Sequence, residues 1–143
     1  MNYLWLIFAL LSAITAALVS IFGKIGLKGI DSNTATAIRS IIMAAFLFFV
    51  IMIQGKMNQI SSIISNIKTI SFIILSGIAG ALSWLFYFMA LKFGKVSQVA
   101  PIDKLSVVFA VILSILFLGE KISIINGVGV GLIAVGAILV ALG

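Results

Sequence analysis

The chain has 143 residues, of which 64% are hydrophobic and 8% charged, with a net charge of +6 and neither Cys nor His. Soluble domains carry roughly 25% charged residues because their surface has to be solvated, so the composition excludes an ordinary water-soluble domain. Without Cys or His, thiol chemistry, disulfides and imidazole catalysis are excluded. The carboxylates, Asp31, Asp103 and Glu120, are too few and too scattered for paired-carboxylate hydrolysis or an acidic metal site. We therefore expect no enzyme, no metal and no cofactor.

The positive charge does not indicate nucleic-acid binding. The nine Lys and Arg residues stand singly between apolar runs, whereas nucleic-acid-binding proteins gather basic residues on one face. We interpret these residues as loop anchors among lipid phosphates, and we expect no nucleic-acid partner.

Five apolar stretches are long enough to cross a bilayer, which requires about 20 helical residues each. They cover residues 3–22, 34–54, 70–93, 96–118 and 122–142. Asp31, Ser32 and Asn33, just before the second stretch, are typical helix-capping residues. We predict an all-α membrane protein with five transmembrane helices in a single domain over residues 1–143. We expect a multi-pass protein of a prokaryotic inner or plasma membrane.

The start of the first stretch and the longest loop lead to two further predictions. The first stretch lacks a basic segment before it and is longer than the apolar part of a typical signal peptide, so we expect it to be retained as a helix. The longest loop, residues 54–68, places Ile60, Ile63, Ile64 and Ile67 at helical spacing. This pattern predicts a short helix along the membrane interface.

Loop charges leave the orientation of the chain open. With the N-terminus in the cytoplasm, Lys24, Lys28, Lys92 and Lys95 face outward, while Lys56, Lys68, Lys121 and the terminal amine face inward. Four charges against four scarcely select an orientation under the positive-inside rule. Either the chain inserts both ways and forms antiparallel dimers, as in inverted-repeat transporters, or a weak bias or a partner selects one orientation.

Three ionisable residues lie at membrane depth, where a charge is costly and usually faces a polar interior. Arg39 is roughly 8 Å into the second predicted helix, and Asp103 and Lys104 are roughly 11 Å into the fourth, at 1.5 Å per residue. Both helices start on the same side, so all three residues fall in one half of the membrane. Arg39 and Lys104 are long enough to reach the head groups. Asp103 is not, and it must pair with Lys104 or Arg39, reach water or hold a proton.

Other residues of the third and fourth predicted helices fit a cavity. Pro101 deprives a carbonyl near Ser97 of its helical partner, and such a break lines cavities in membrane helices. Ser106 follows Asp103 on one face. In the third helix Ser83, Trp84 and Tyr87 lie close together, and Trp84 is deeper than the usual interfacial position of Trp. Its indole fits a pocket wall or a cationic ligand, with plain packing as the alternative.

Small residues predict close packing between helices. Gly127 and Gly131 form a GxxxG motif in the fifth predicted helix, and Gly77 and Gly80 lie in the third. GxxxG and similar spacings let two helix backbones approach each other. We predict that these glycines serve helix packing or dimerisation.

The run Gly94–Pro101 (GKVSQVAP), the run Phe117–Ser123 (FLGEKIS) and the Gly-rich last helix resemble the EamA domain of the drug/metabolite transporter superfamily. Ala79–Lys92 resembles the third helix of that domain, and Arg39 resembles an Arg common near the start of its second helix. The resemblance implies one half of an inverted-repeat fold, because most members resemble two such units fused in opposite orientation. It also implies export or exchange of small metabolites through a cavity between the repeats.

Two hypotheses for the function follow. In the first, the chain is a secondary transporter of small metabolites or drug-like solutes, working as an antiparallel homodimer in the bilayer by alternating access. Arg39, Asp103 and Lys104 would then line or gate the cavity, and two cations against one acid favour a substrate with an anionic group. In the second, the chain is a subunit of a heteromeric transporter or lipid-carrier flippase and needs a homologous five-helix partner.

Overall fold

The computed structural model describes residues 3–143, and within this range the chain is helical and contains no β-strand. Its helices are α1 Leu4–Gly26, α2 Ser32–Ile53, α3 Gln59–Ser65, α4 Ile67–Phe93, α5 Val96–Asp103, α6 Ser106–Leu113 and α7 Ile124–Leu142, with a π-helical turn at Ser114–Leu118 between α6 and α7. Five segments are long and apolar enough to span a membrane: α1, α2, α4, the broken segment Val96–Leu118, and α7. The prediction of an all-α membrane protein with five spans is therefore confirmed.

Apolar side chains cover the outside of these spans. Trp5 is 68% exposed, Phe46 65% and Ile124 88%. In water such a surface would drive aggregation, but in a bilayer the lipid tails solvate it. The backbone amides and carbonyls are instead satisfied inside each helix, as a medium without water requires.

The described residues divide into two compact units. The first joins α1 as far as Lys24 to the segment Phe93–Gly143. Within it α5 and α6 pack against α7, and Lys24 donates a hydrogen bond from Nζ to the carbonyl oxygen of Gly94 at 2.7 Å. Because Gly94 directly follows the end of α4, this ammonium also lies where a helix C-terminus attracts positive charge.

The second unit is Ile25–Lys92 and contains α2, α3 and most of α4. Its buried residues are Leu27, Ser32, Thr36, Phe88 and Leu91. Thr36 donates its hydroxyl hydrogen to the carbonyl oxygen of Ser32 at 2.7 Å, so the buried hydroxyl is satisfied within its own helix. This unit carries the more enclosed of the two candidate sites described below.

Helix ends differ from the predicted ends by a few residues for physical reasons. α1 continues to Gly26, past the predicted end at residue 22, with Lys24 in its last turn, where a positive charge interacts favourably with the helix C-terminus. α7 begins at Ile124, two residues after its predicted start, because Ser123 caps it: the Ser123 hydroxyl oxygen accepts from the backbone N–H of Asn126 at 3.2 Å. α3 confirms a short helix in the 54–68 loop, whose interfacial placement stays a prediction.

The fourth span is interrupted, and the interruption lies further along the chain than predicted. α5 continues through Pro101 and ends at Asp103, and α6 starts at Ser106. At the break, the backbone N–H of Lys104 donates to Pro101 O at 3.1 Å, and that of Leu105 donates to Ile102 O at 3.0 Å. These tighter i→i+3 bonds replace α-helical bonds. The change in hydrogen-bond pattern therefore lies at Lys104 and Leu105, next to the charged residues. Pro101 has no N–H to donate to Ser97 O, and α5 continues past it.

The C-terminal end of the same span is wound as a wider helix. In the π-helical turn the backbone N–H of Gly119 donates to Ser114 O, and the N–H of Glu120 donates to the same oxygen at 3.3 Å. Gly119 has a φ of 67°, the left-handed conformation that suits a residue without a Cβ at a helix end. The turn closes the span and leads into the short loop before α7.

Candidate functional site

The guanidinium of Arg39 lies against aromatic rings. Arg39 belongs to α2, seven residues after its start at Ser32, or about 10 Å along the helix axis. Its Cζ lies 3.4 Å from the ring centroid of Phe88 and 4.5 Å from that of Trp84, both on α4. Cation–π contacts at these distances attract a guanidinium to the face of a ring. Arg39 therefore joins α2 to α4 in the unit Ile25–Lys92.

Three aromatic residues of α4 form the support for this cation. The Trp84 and Phe88 rings are nearly parallel, with an interplanar angle of 9° and centroids 5.5 Å apart. The Tyr87 ring meets both edge-on, at 6.3 Å from Trp84 and 5.4 Å from Phe88. Trp84 and Phe88 share a face because they are four residues apart on one helix. We refer to Arg39, Trp84, Tyr87 and Phe88 as the Arg39 cluster.

Arg39 has no carboxylate partner within its own unit. The single carboxylate of Ile25–Lys92 is Asp31, which caps the N-terminus of α2. Its Oδ1 accepts from the Thr34 backbone N–H at 2.8 Å and from the Thr34 hydroxyl at 2.9 Å. The Nε of Arg39 is buried and has no hydrogen-bond partner in residues 3–143. The positive charge is therefore offset by aromatic faces, and one of its donors is unused.

Asp31 lies outside the membrane-spanning segments, and its contacts alter its acidity. The hydrogen bond from the Thr34 backbone, the bond from the Thr34 hydroxyl and the positive charge of Lys92 together hold the pKa of the Asp31 carboxyl below its ordinary value. The capping residue is therefore ionised at neutral pH, which suits the positive end of the α2 dipole.

The second charged site is at the break in the fourth span. Lys104 Nζ lies 3.3 Å from Asp103 Oδ2, and the two side chains are 57% and 34% exposed. Of the two ion pairs considered from the sequence, the structure therefore contains Asp103–Lys104. Exposed pairs of this kind contribute little to stability, about 0–1 kcal/mol. These exposed fractions leave both groups accessible to a further partner.

The other predicted cavity residues lie near these two sites. Pro101 is in α5, two residues before Asp103, and is partly buried. Ser106 is the first residue of α6 and is exposed. Ser83 precedes Trp84 on α4 and is exposed. Trp84 and Tyr87 are both in the Arg39 cluster, so the structure brings three predicted residues together with Phe88.

The predicted packing glycines have space around them. A Cβ added to Gly77, Gly80 or Gly131 would meet no atom within 4 Å in the described chain beyond its own helix. One added to Gly127 would meet the Cδ1 of Ile122 at 3.8 Å, which is an ordinary contact. A close helix contact at these glycines is therefore not made inside residues 3–143, and their role in packing or dimerisation stays a prediction.

Phe88 was missed by the sequence reasoning, although it is the ring closest to Arg39. Its exposed fraction is 1%, against 66% for Phe86 on the same helix. The available signal was its spacing of four residues from Trp84, which places both rings on one face. That spacing favours Phe88 over Phe86 only if Trp84 is known to face inward, and an apolar helix in lipid lacks a polar side that would mark its inner face.

Comparison with known proteins gives a consistent result along the chain. The EamA-like transporter family matches residues 3–142. The chain belongs to the EamA-like transporter family. A Sinorhizobium protein described as an uncharacterized transporter in the cobO 3′ region is 43% identical over 141 residues, covering 99% of both chains. An uncharacterized protein of Methanocaldococcus jannaschii is 31% identical over 101 residues, covering 71% of both chains. No solved structure gives a significant match.

Membership of the EamA-like family confirms the resemblance seen in the sequence and gives the protein a coarse role. It is a multi-pass membrane protein with a transporter role.

Proposed function

We propose that the protein is a secondary transporter of small metabolites or drug-like solutes that works as an antiparallel homodimer with alternating access. Family membership supports the transporter role. The observation that carries the mechanism is the interrupted fourth span, because discontinuous helices form the substrate and ion sites of many transporters. At that interruption i→i+3 hydrogen bonds replace α-helical ones beside Asp103 and Lys104.

The proposal gives each of the two charged sites its own chemical role. The Oδ2 of Asp103 lies 3.3 Å from Lys104 Nζ. The Asp103 carboxylate can bind a cationic group or carry a proton. Lys104 offers positive charge at the same site. In the unit Ile25–Lys92, Arg39 offers positive charge and Trp84 and Tyr87 offer an apolar surface. Pro101, Ser83 and Ser106 belong to the same proposal through their positions next to these residues.

The homodimer rests on charge balance and helix number. Lysines are distributed nearly evenly between the two sides of the membrane, so either orientation is accessible to the chain. Two five-helix units in opposite orientations would form an inverted repeat, with the site at their interface. The open glycines of α7 provide a surface on which the backbone of a second helix could approach.

Flux through the reconstituted protein tests the role of Asp103. Purified protein in proteoliposomes is screened for uptake of labelled amino acids, amines and sugar phosphates, and Asp103→Asn is compared with wild type on the solute transported. Asp103→Asn should abolish flux or remove its pH dependence while crosslinking still detects the dimer. Asp31→Asn is the matched control, because Asn also caps helices, and it should leave flux intact. Normal, pH-dependent flux in Asp103→Asn would assign Asp103 to structure.

Orientation tests the homodimer separately. C-terminal reporters that are active on only one side of the membrane should give signal from both sides if the chain inserts in both orientations. Signal from one side alone would exclude the antiparallel homodimer. The function would then require a second, homologous five-helix chain, as in a heteromeric transporter or a lipid-carrier flippase.

A further inference from the structure

We infer that the Arg39 cluster is a binding site for an anionic oxygen group, a carboxylate or a phosphate, of the transported solute. The inference deepens the proposed function, and it rests on that function for the claim that the bound solute is transported. Binding itself can be tested without any flux. Aromatic rings and anions contact different parts of a guanidinium.

A guanidinium is planar, so rings and anions do not compete for the same surface. Phe88 and Trp84 approach the Cζ of Arg39 at 3.4 and 4.5 Å. Ring stacking uses a face of the guanidinium, whereas its five N–H donors lie in the plane and point outward from its edge. A stacked Arg therefore keeps the edge with which it binds carboxylate or phosphate in a bidentate manner. The rings fix the orientation of that edge and reduce the entropy lost on binding.

One donor of Arg39 lacks an acceptor. Its Nε is buried without a hydrogen-bond partner in the described residues. An unsatisfied buried donor costs about 1–3 kcal/mol, and more when it is charged. The one carboxylate of the unit Ile25–Lys92 is Asp31, whose Oδ1 is already engaged by Thr34. Within this unit the cation therefore lacks an anion, and a ligand with an anionic oxygen would supply it.

The aromatic residues add a requirement on the rest of the ligand. Tyr87 meets the Trp84 and Phe88 rings edge-on, so an apolar or aromatic body next to the anionic group would find aromatic surface beside the guanidinium. A small organic acid with an apolar body fits this chemistry better than an amine. An amine would bring a second positive charge to the site.

Trp84 itself is the reporter for the test. The sequence contains two Trp residues, Trp5 and Trp84, so Trp5→Phe leaves one indole, 4.5 Å from the guanidinium carbon. The full chain is purified in a maltoside detergent, which carries no phosphate, and titrated with benzoate, inorganic phosphate, neutral benzamide and cationic benzylamine. Benzoate or phosphate should change the Trp84 emission saturably, while benzamide and benzylamine should not.

Variants of Arg39 connect the signal to the guanidinium. Arg39→Gln should weaken benzoate binding roughly ten- to hundredfold, the range expected for loss of a charged hydrogen-bond partner. Arg39→Lys keeps the charge without the planar edge and should weaken binding by less. Lys56→Gln, which removes one positive charge three residues beyond the C-terminal end of α2, should bind as wild type does. If Arg39→Gln fails to fold, Arg39→Lys and the benzoate–benzamide comparison in unmodified protein decide the matter.

Lipid head groups also carry anionic phosphate oxygens and therefore need a separate titration. Phosphatidylglycerol is added to the micelles in place of benzoate. A saturable Trp84 response to this lipid and none to the soluble anions would assign the site to lipid phosphate and overturn the substrate assignment. No response to any anion, or an equal response to benzamide, would overturn the inference and leave Arg39 as a link between α2 and α4.

The two proposals can fail separately. Benzoate binding without flux of any solute in proteoliposomes would retain the anion site and refute the transporter mechanism proposed above. Flux of solutes that is unaffected by Arg39→Gln would retain the transporter and refute the anion site.

Discussion

Replacing Phe88 with Leu should destabilise the protein by about 2–3 kcal/mol, given typical cation–π and aromatic-pair energies. The ring is 1% exposed and touches three groups: the Arg39 guanidinium at 3.4 Å, the Trp84 ring at 5.5 Å and the Tyr87 ring at 5.4 Å. A desolvated cation–π contact contributes up to about 2 kcal/mol, and each aromatic pair about 0.5–1.5 kcal/mol. Leu keeps much of the apolar contact, so the loss falls below the sum of these contributions.

A double-mutant cycle separates the Arg39 contact from the rest. Unfolding by denaturing detergent in mixed micelles, followed by circular dichroism, is measured for Arg39→Gln, Phe88→Leu and the double variant. The coupling energy between them should be about 1–2 kcal/mol. Phe86→Leu is the control, because Phe86 is 66% exposed, and it should change the free energy of unfolding by less than about 0.5 kcal/mol. A coupling energy near zero, or an equal effect at Phe86, would show that the guanidinium is not held by the ring.

Three further predictions concern the helix ends and the last helix. Ionised Asp31 stabilises the first turn of α2 above its ordinary pKa of about 3.9, and this contribution is lost as the pH falls through its lower folded-state pKa. The hydrogen-exchange protection factor of the Thr34 amide should therefore drop in acid in wild type and stay level in Asp31→Asn. Gly131→Ile should reduce dimer crosslinking several-fold with the fold intact, since the added side chain starts in open space. Gly129→Ile is the control, because Gly129 has equally open space around it. An equal loss of crosslinking in both variants would argue against the GxxxG motif. Ser123→Ala removes the oxygen that caps α7 and should cost about 1 kcal/mol of unfolding free energy, whereas an unchanged stability would mean that the cap is not formed.

The spans could be predicted from the sequence because their signal is length and apolar character, which the bilayer imposes directly. The contacts of individual residues inside the spans were harder to predict. Arg39, Trp84 and Tyr87 were identified as candidates because charge and indole at membrane depth are unusual. That Phe88 would lie closest to the guanidinium depends on which way α4 rotates toward α2. In lipid that rotation is set by packing, and no polar face marks it in the sequence.

The break in the fourth span was only partly predictable. Pro101 signalled an irregular helix, but a proline near the start of a helix disturbs few hydrogen bonds, and α5 continues past it to Asp103. The π-helical turn at Ser114–Leu118 had no signal in the sequence at all. Its residues are ordinary helix-forming apolar residues apart from Ser114. The wider winding replaces α-helical hydrogen bonds with i→i+5 bonds of similar energy.

The π-helical turn has a consequence for insertions and deletions in this span. Deleting one residue from α6 would rotate every following side chain of that helix by about 100°, since an α-helix has 3.6 residues per turn. A wide turn holds one residue more than an α-turn between its bonded groups, here with the Ser114 carbonyl accepting from Gly119. Deletion of a single residue within Ser114–Leu118 would leave a regular α-helical turn and the same entry into α7. Natural length variation in this part of the chain should therefore concentrate in those five residues.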